Sequence, residues 1–236
     1  MISVVIPTWN CQYIGEALES LANQTFKGFE VIVIDDGSSR EYNARLNEIV
    51  CDYEKKFDVR LYTLSHRGIA SALNAGIRIM KGDWFKWLSA DDVLLPDALQ
   101  ILDSASDLFN EKIYYTDFLI CNEKMELIEE AIQPSFNTNI EFLEQLCKDY
   151  KGNASTSLIH KDCFKEKGMF NEEISLAEDY EMWIRLASKY KFQHIPRFTL
   201  NCRIHKDSNT AKRIADLPEN NEKMKAFARA YRGLLE

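Results

Sequence analysis

Two spacings of apolar residues alternate along positions 1–92. Continuous apolar, β-branched runs occur at residues 2–6, at Glu30-Val31-Ile32-Val33-Ile34, and at Asp83-Trp84-Phe85-Lys86-Trp87-Leu88, and Val59–Leu64 is a shorter one. Runs of this kind read as strands buried on both faces, which belong to parallel sheets covered by helices. Between them the apolar residues fall on helical stripes. Tyr13–Gln24 carries Ile14, Ala17, Leu18 and Leu21; Tyr42–Lys56 carries Leu46, Ile49, Val50 and Tyr53; Gly68–Met80 carries Ile69, Ala72, Leu73, Gly76, Ile77 and Met80. The order β-α-β-α-β-α-β predicts a doubly wound α/β sheet with right-handed crossovers. Ligands of such sheets bind outside the carboxyl ends of the strands, where this pattern places Asp35-Asp36 and Asp91-Asp92.

The second half is less regular. Helices are predicted at Pro96–Phe109, Ile140–Tyr150, Glu178–Tyr190 and Pro218–Leu235, and strands at Ile113–Cys121 and Ser155–His160, with Glu123–Ile132 as a hairpin arm. Phe192–Arg203 reads as extended, and Pro196 within it suggests a sheet edge. The expected organisation is one domain over residues 1–210, in two halves at 1–95 and 96–210, followed by a helical extension at 211–236.

With 46% hydrophobic and 28% charged residues, the 236-residue chain has the balance of a globular protein with a core that needs no disulfide or metal staple. Its net charge of −8 argues against a protein that lives on nucleic-acid backbone. No run approaches the ~18 apolar residues of a membrane span, and the N-terminus has no signal-peptide pattern. The six cysteines, at positions 11, 51, 121, 147, 163 and 202, are scattered without zinc-ligand spacing. They are expected to be reduced and packed as small apolar groups, with the cytosol as the default compartment.

Several groups of residues could carry chemistry. Paired carboxylates at Asp91-Asp92 suit a hard cation such as Mg²⁺ or Mn²⁺ on a diphosphate, although the same acids would also complement the dipole of a following helix. Asp35-Asp36-Gly37-Ser38 would equally serve as an acidic turn after a strand. Gly68, after His66-Arg67, could let backbone approach phosphate, while Ala72 and Gly76 suit close helix–sheet packing. Ser175-Leu176-Ala177-Glu178 fits a capping box, which leaves Asp179-Tyr180-Glu181 unexplained; a carboxylate in that first turn could act as general base. His205 is an imidazole that follows these acids along the chain, either a satisfied surface histidine or a metal ligand.

Taken together, these stretches resemble the family 2 glycosyltransferases, which have the GT-A fold. The resemblance covers most of residues 2–210 and rests on Val4-Val5-Ile6-Pro7-Thr8-Trp9-Asn10, Val31–Ser38, Gly68 with Ala72–Gly76, Gly82-Asp83 with Ala90-Asp91-Asp92, and Ala177–Leu186. It implies an α/β, Rossmann-like, mostly parallel sheet flanked by helices, with a smaller mixed sheet on the acceptor side. By resemblance, Pro7, Thr8 and Asp36 line a base pocket, with Asp36 taking the hydrogen of a base ring nitrogen, and Arg67 and Gly68 belong to the same nucleotide site. Asp91 would touch the ribose, Asp92 would hold Mn²⁺ or Mg²⁺ with His205 as a further ligand, and Asp179 would be the catalytic base. Glu178 and Trp183 would lie near the sugar. Ser89 and His66 depart from the pattern, standing where relatives often carry an acid and an asparagine.

The implied reaction is inverting transfer from a nucleotide-diphosphate sugar, UDP favoured, to a glycan or lipid-linked acceptor. A single base suffices for one in-line displacement, and no second carboxylate suggests itself as a nucleophile for a retaining route. Acceptor contacts are expected from Tyr114–Phe118, Asn153–Ser157 and Trp183. Two other readings stay open: a nucleotidyltransferase, against which Pro7–Cys11 lacks glycine and basic residues, and a silent nucleotide-sugar-binding module. Residues 203–236 carry eight basic against five acidic side chains. A helix there could pack on the core, pack on a second subunit in a homodimer, or rest peripherally on an anionic membrane; packing is the favoured reading.

Overall fold

The computed structural model describes residues 1–148, 152–174 and 177–208. The predicted β-α-β-α-β-α-β half is present as β1 (Ile2–Thr8), α1 (Ile14–Ala22), β2 (Phe29–Asp35), α2 (Arg40–Tyr53), β3 (Val59–Thr63), α3 (Ile69–Ile79) and β4 (Trp84–Trp87). Strands β1, β2, β3 and β4 are mutually parallel in the order β3-β2-β1-β4. The chain leaves β1 toward β2 on one side and later returns to β4 on its other side. The carboxyl ends of β1 and β4 therefore flank the crevice where ligands of such sheets bind.

All seven residues of β1 and of β2 are buried, as continuous apolar runs require. Along β1, Ile2, Val4 and Ile6 enter a cluster with α1, α2 and helix α4 (Ala98–Leu108), while Val5 enters a second cluster on the opposite face. That second cluster joins α3, α5 (Asn139–Lys148), α6 (Lys161–Lys167) and α7 (Glu178–Ala187). Gly76 on α3 is required by this packing, because a Cβ there would stand 2.4 Å from Val5 Cγ1.

The sheet continues as one nine-stranded layer, in the order β3-β2-β1-β4-β8-β6-β9-β5, with β7 also on β6. Here β5 is Val93–Leu94, β6 Ile113–Cys121, β7 Leu127–Ala131, β8 Leu158–His160 and β9 Phe192–Arg203. The hairpin β6–β7 follows expectation, and each antiparallel pair includes at least one strand of the second half: β4–β8, β5–β9, β6–β7 and β6–β8.

Four local expectations are corrected. Strand β9 is at an edge only in part: it runs parallel to β6 along its length, and β5 covers its other side at Leu200 and Asn201, beyond the stretch that holds Pro196. Pro196 is accommodated by a register shift, since Ile195 pairs with Thr116 and Phe198 with Asp117, so Pro196-Arg197 bulge out of the ladder; β5 reaches only Leu200 and Asn201. Residues 155–160 are not one strand, because Ala154–Thr156 is a 3₁₀ turn capped by the Asn153 side chain. Asp91-Asp92 do not open a helix: β5 follows them, and α4 begins only at Ala98. The strand face Tyr114–Phe118, expected to meet an acceptor, is buried.

Beyond β7 the chain is fastened to the sheet. Gln133 N–H donates to Asp117, whose carboxylate also meets His194 Nε2 at 2.9 Å, and Ser135 bonds His194 Nδ1 at 2.7 Å. All six cysteines are free thiols. Among the described residues no helix is long and apolar enough to cross a membrane. The expected helix Pro218–Leu235, and with it the 211–236 extension, lies outside the described residues, as does Ser175.

Candidate active site

Strand β2 leads into two acids with different roles. Asp35 is fully buried and shapes the turn: its carboxylate accepts from Ser38 N–H at 3.0 Å and from Asn43 Nδ2 at 2.7 Å. Gly37 follows with φ +69°, and a Cβ there would meet His66 N at 2.5 Å, so only glycine permits the loop before α3 to come this close. That approach creates a cradle for Asp36. Its Oδ1 accepts from Arg67 N–H at 2.9 Å, and its Oδ2 accepts from Gly68 N–H at 2.8 Å and faces His66 Nδ1 at 2.8 Å. An ionised carboxylate offers about four lone-pair positions, so beyond the two backbone N–H groups Asp36 can still accept a ring N–H, the place that His66 Nδ1 takes here.

Strand β1 ends beside this cradle. Pro7 and Thr8 are buried at its last two positions, and the Thr8 hydroxyl lies 2.8 Å from Tyr42 OH on α2. Trp9 is half exposed and stacks on His66, with ring centroids 4.7 Å apart and planes 20° from parallel. Arg67 points outward and pairs with Glu172 at 3.0 Å; Glu172 also accepts from Asn74 of α3 at 2.9 Å. The segment that leads into α7 is thereby tied to the loop carrying Arg67.

The second acidic pair follows β4. Asp91 is partly exposed and its Oδ2 lies 3.0 Å from His205 Nε2. Asp92 is buried, and its Oδ1 accepts from Arg203 N–H at 3.1 Å. Burial, and then the charge of Asp91, push the Asp92 carboxyl well above the ordinary carboxylate range, against hydrogen bonds from Arg203 and Ser155 that favour its ionised form. Ser155 Oγ also receives Ser89 N–H at 3.1 Å and lies 3.1 Å from Ser89 Oγ. The serine that replaces an acid at position 89 is thus a hydrogen-bonding neighbour of the Asp92 cluster. Beneath it Lys86 is wholly buried and donates to the Ser155 carbonyl; burial pushes its ammonium down to about 7, against the pull of Asp92.

Arg203 holds this corner together. Its Nε donates to the Asp91 carbonyl at 2.9 Å, its other nitrogens reach the Glu123 carbonyl and the Glu16 carboxylate, and its guanidinium lies 4.2 Å from the Tyr13 ring centroid. The side chain is 2% exposed. Arg203→Ala is expected to lower unfolding free energy by about 2–4 kcal/mol, because a buried side chain that joins Asp91, Glu123, Glu16 and Tyr13 is lost at once. Urea denaturation measures this; a change below about 0.5 kcal/mol, the scatter of neutral surface substitutions, would contradict it.

Helix α7 opens on Ala177, which takes a left-handed φ of 65° and gives no side-chain cap. Glu178 is buried, whereas Asp179 is partly exposed, its Oδ1 accepting from Tyr180 N–H at 2.9 Å. Glu181 is structural. It pairs with Arg185 at 2.7 Å, and Arg185 donates to the carbonyls of Lys167, Gly168 and Met169 at the end of α6 and beyond it. Trp183 is buried in the second core cluster.

The crevice thus combines a cradle of N–H donors around Asp36 with an acidic corner at Asp91-Asp92, and α7 carries a partly exposed acid, Asp179, in its first turn. Residues 3–170 match the family profile described as Glycosyl transferase family 2. The chain belongs to this family. Chondroitin synthase of Escherichia coli is 28% identical over 225 residues, covering 95% of this chain and 32% of that protein. The chain spans about a third of the length of the first curated relatives it matches. The structure of S. aureus TarS 1–349 in complex with UDP-GlcNAc superposes with a TM-score of 0.74 at 19% identity, covering 89% of this chain and 60% of that one. Mannosyltransferase PcManGT from Pyrobaculum calidifontis, in complex with GDP-Man and Mn2+, gives 0.67 at 18%, covering 98% and 69%. The fold of this family 2 chain is accordingly GT-A.

The acidic corner suits a hard cation by its donor chemistry. Among the described residues no three His, Cys, Asp or Glu side chains converge as a self-sufficient metal cage. Mg²⁺-type ions at phosphates need only one or two carboxylates, the remaining positions going to substrate and water. The surroundings are strongly electronegative: the thiol of Cys11 is pushed up to about 12 by burial and then by Asp91, and that of Cys202 is pushed up by burial and then by Asp92. A bound cation would relieve that charge.

Sequence reasoning missed Arg203 and Lys86 as site-building residues. Lys86 is a lone cation inside the apolar run Trp84–Leu88, and that contrast was the available signal; Arg203 ends the mixed stretch Phe192–Arg203, which also holds Arg197, and nothing in it singles Arg203 out.

Proposed function

We propose that this chain transfers a sugar from a nucleotide-diphosphate sugar, with UDP as the favoured nucleotide, to an acceptor hydroxyl with inversion at the anomeric carbon. The observation that carries the reading is the Asp36 cradle at the carboxyl end of β2, together with the Asp91-Asp92 corner after β4, in a member of glycosyl transferase family 2. Support for the nucleotide comes from Asp36, whose remaining lone pair suits the ring N–H of uracil, thymine or guanine and has no partner on cytosine or adenine. TarS bound to UDP-GlcNAc favours the first of these.

Pro7 and Thr8 line the base pocket beside Asp36, and Arg67 and Gly68 hold the Asp36 carboxylate in place through their N–H groups. Asp91, the more exposed acid of its pair, orients the ribose. Asp92, with His205 close by on Asp91, would hold Mn²⁺ or Mg²⁺, and the bound ion would supply positive charge against the departing diphosphate. Asp179 accepts the acceptor hydroxyl proton as that oxygen attacks, so one carboxylate serves one displacement. Buried Glu178 fixes the start of α7 beside it. The acceptor is a glycan or lipid-linked sugar.

Thermal melts with UDP, GDP, dTDP and CMP, each with and without Mn²⁺, test this. UDP is expected to raise the melting temperature, and more so with Mn²⁺. A protein that ignores all four nucleotides under both conditions would sink the donor-site reading.

A further inference from the structure

His66 makes two contacts that a nucleobase would make. Its ring lies nearly parallel to the half-exposed Trp9 indole at the end of β1, at the stacking distance of 4.7 Å between centroids. Its Nδ1 lies 2.8 Å from Asp36 Oδ2 and 2.9 Å from the Asp36 carbonyl, so in the tautomer that protonates Nδ1 the ring donates to the carboxylate assigned to base recognition. An aromatic ring with a ring N–H, stacked on an indole and bonded to a carboxylate, is chemically a small nucleobase. The backbone of His66 is fixed by its close approach to Gly37, yet the side chain is 54% exposed. Rotation about its side-chain bonds would release the ring without disturbing the core.

We propose that His66 is a built-in stand-in for the nucleobase: its imidazole fills the slot between Trp9 and Asp36 and swings out when a nucleotide enters. This rests on the donor-site reading above. Its consequence is an affinity penalty set within the chain, because a ligand binds only the fraction of molecules whose slot is open. If the ring fills the slot in about nine molecules of ten, apparent affinity falls about tenfold. His66 is then a determinant of donor affinity, and ligands that compete best are those whose base both stacks on Trp9 and donates to Asp36.

Isothermal titration of UDP with Mn²⁺ into the wild-type chain, His66→Ala and His66→Asn tests the sign of the effect. Both variants remove the ring from Trp9, and both are expected to bind UDP about tenfold more tightly. In the wild type, the His66 ring-proton resonances, displaced by the Trp9 ring current, are expected to move toward ordinary histidine positions as UDP is added. A histidine that merely supports the site would show the opposite: variants that melt normally but bind UDP equally or less tightly overturn the proposal. Histidine resonances unmoved by saturating UDP overturn it too. If UDP, GDP and dTDP bind none of the three proteins, the donor-site reading fails and this inference falls with it.

Discussion

Asp92→Asn is expected to make the nucleotide-free protein more stable at neutral pH while removing its response to metal. The Asp92 carboxyl is buried against Asp91 and is held above the ordinary carboxylate range. For an acid raised in the fold, the unfolded chain releases its proton first. The stabilising contribution of the protonated form is complete below the unfolded value, about 3.9, and is lost as pH rises through the folded one. Asparagine carries no charge at any pH, so the variant should gain over wild type across that same window. A gain of about 1 kcal/mol raises the melting temperature of a chain this size by roughly 2–4 °C. The same substitution removes a carboxylate proposed to hold the cation, so the additional stabilisation by Mn²⁺ with UDP should disappear and turnover should fall about 1000-fold. Melts from about pH 4.5 to 8, with and without UDP and Mn²⁺, separate the two effects. A variant that is less stable than wild type at every pH and still responds to Mn²⁺ would refute the assignment.

The same corner shows how far the chain could be read in advance. The parallel half was legible because β1 and β2 are dominated by β-branched apolar residues and α1 and α3 carry clean helical stripes. Patterns of that kind depend on local sequence. What lay beyond reach was long-range. Val93-Leu94 looked like the lead into a helix, yet it pairs with Leu200 and Asn201 more than a hundred residues away, and two residues carry no periodicity. Pro196 argued for an edge, and around Pro196 the strand is paired on one side only, but that β5 covers the far end of the same strand at Leu200 and Asn201 was not legible. At the site, the acids were visible as pairs, but their division of labour was not. Only the turn geometry shows that Asp35 is spent on Ser38 and Asn43 while Asp36 faces the crevice cradle. Likewise nothing local joins His66 to Trp9, fifty-seven positions earlier; the approach depends on the missing side chain of Gly37.

Asp179→Asn is expected to lower kcat by about 10²–10⁴-fold while leaving UDP affinity unchanged. The expectation separates two adjacent acids by their surroundings. Glu178 is buried at the start of α7, whereas Asp179 is partly exposed on the same first turn. An acceptor hydroxyl attacks well only if its proton leaves during the attack, and asparagine cannot take it. Binding of the donor, by contrast, is assigned to Asp36, Asp91 and Asp92, which follow β2 and β4 rather than standing on α7. Glu178→Gln should therefore act mainly on stability, and Asp179→Asn mainly on rate. Both can be read from UDP released from UDP-GlcNAc, with water or small glycans as acceptors, alongside UDP titrations and urea denaturation. Equal rates for wild type and Asp179→Asn would remove Asp179 from the chemistry. A loss of UDP affinity matching the loss of rate would place it in donor binding instead, because a group that acts only as the proton moves leaves the ground state untouched.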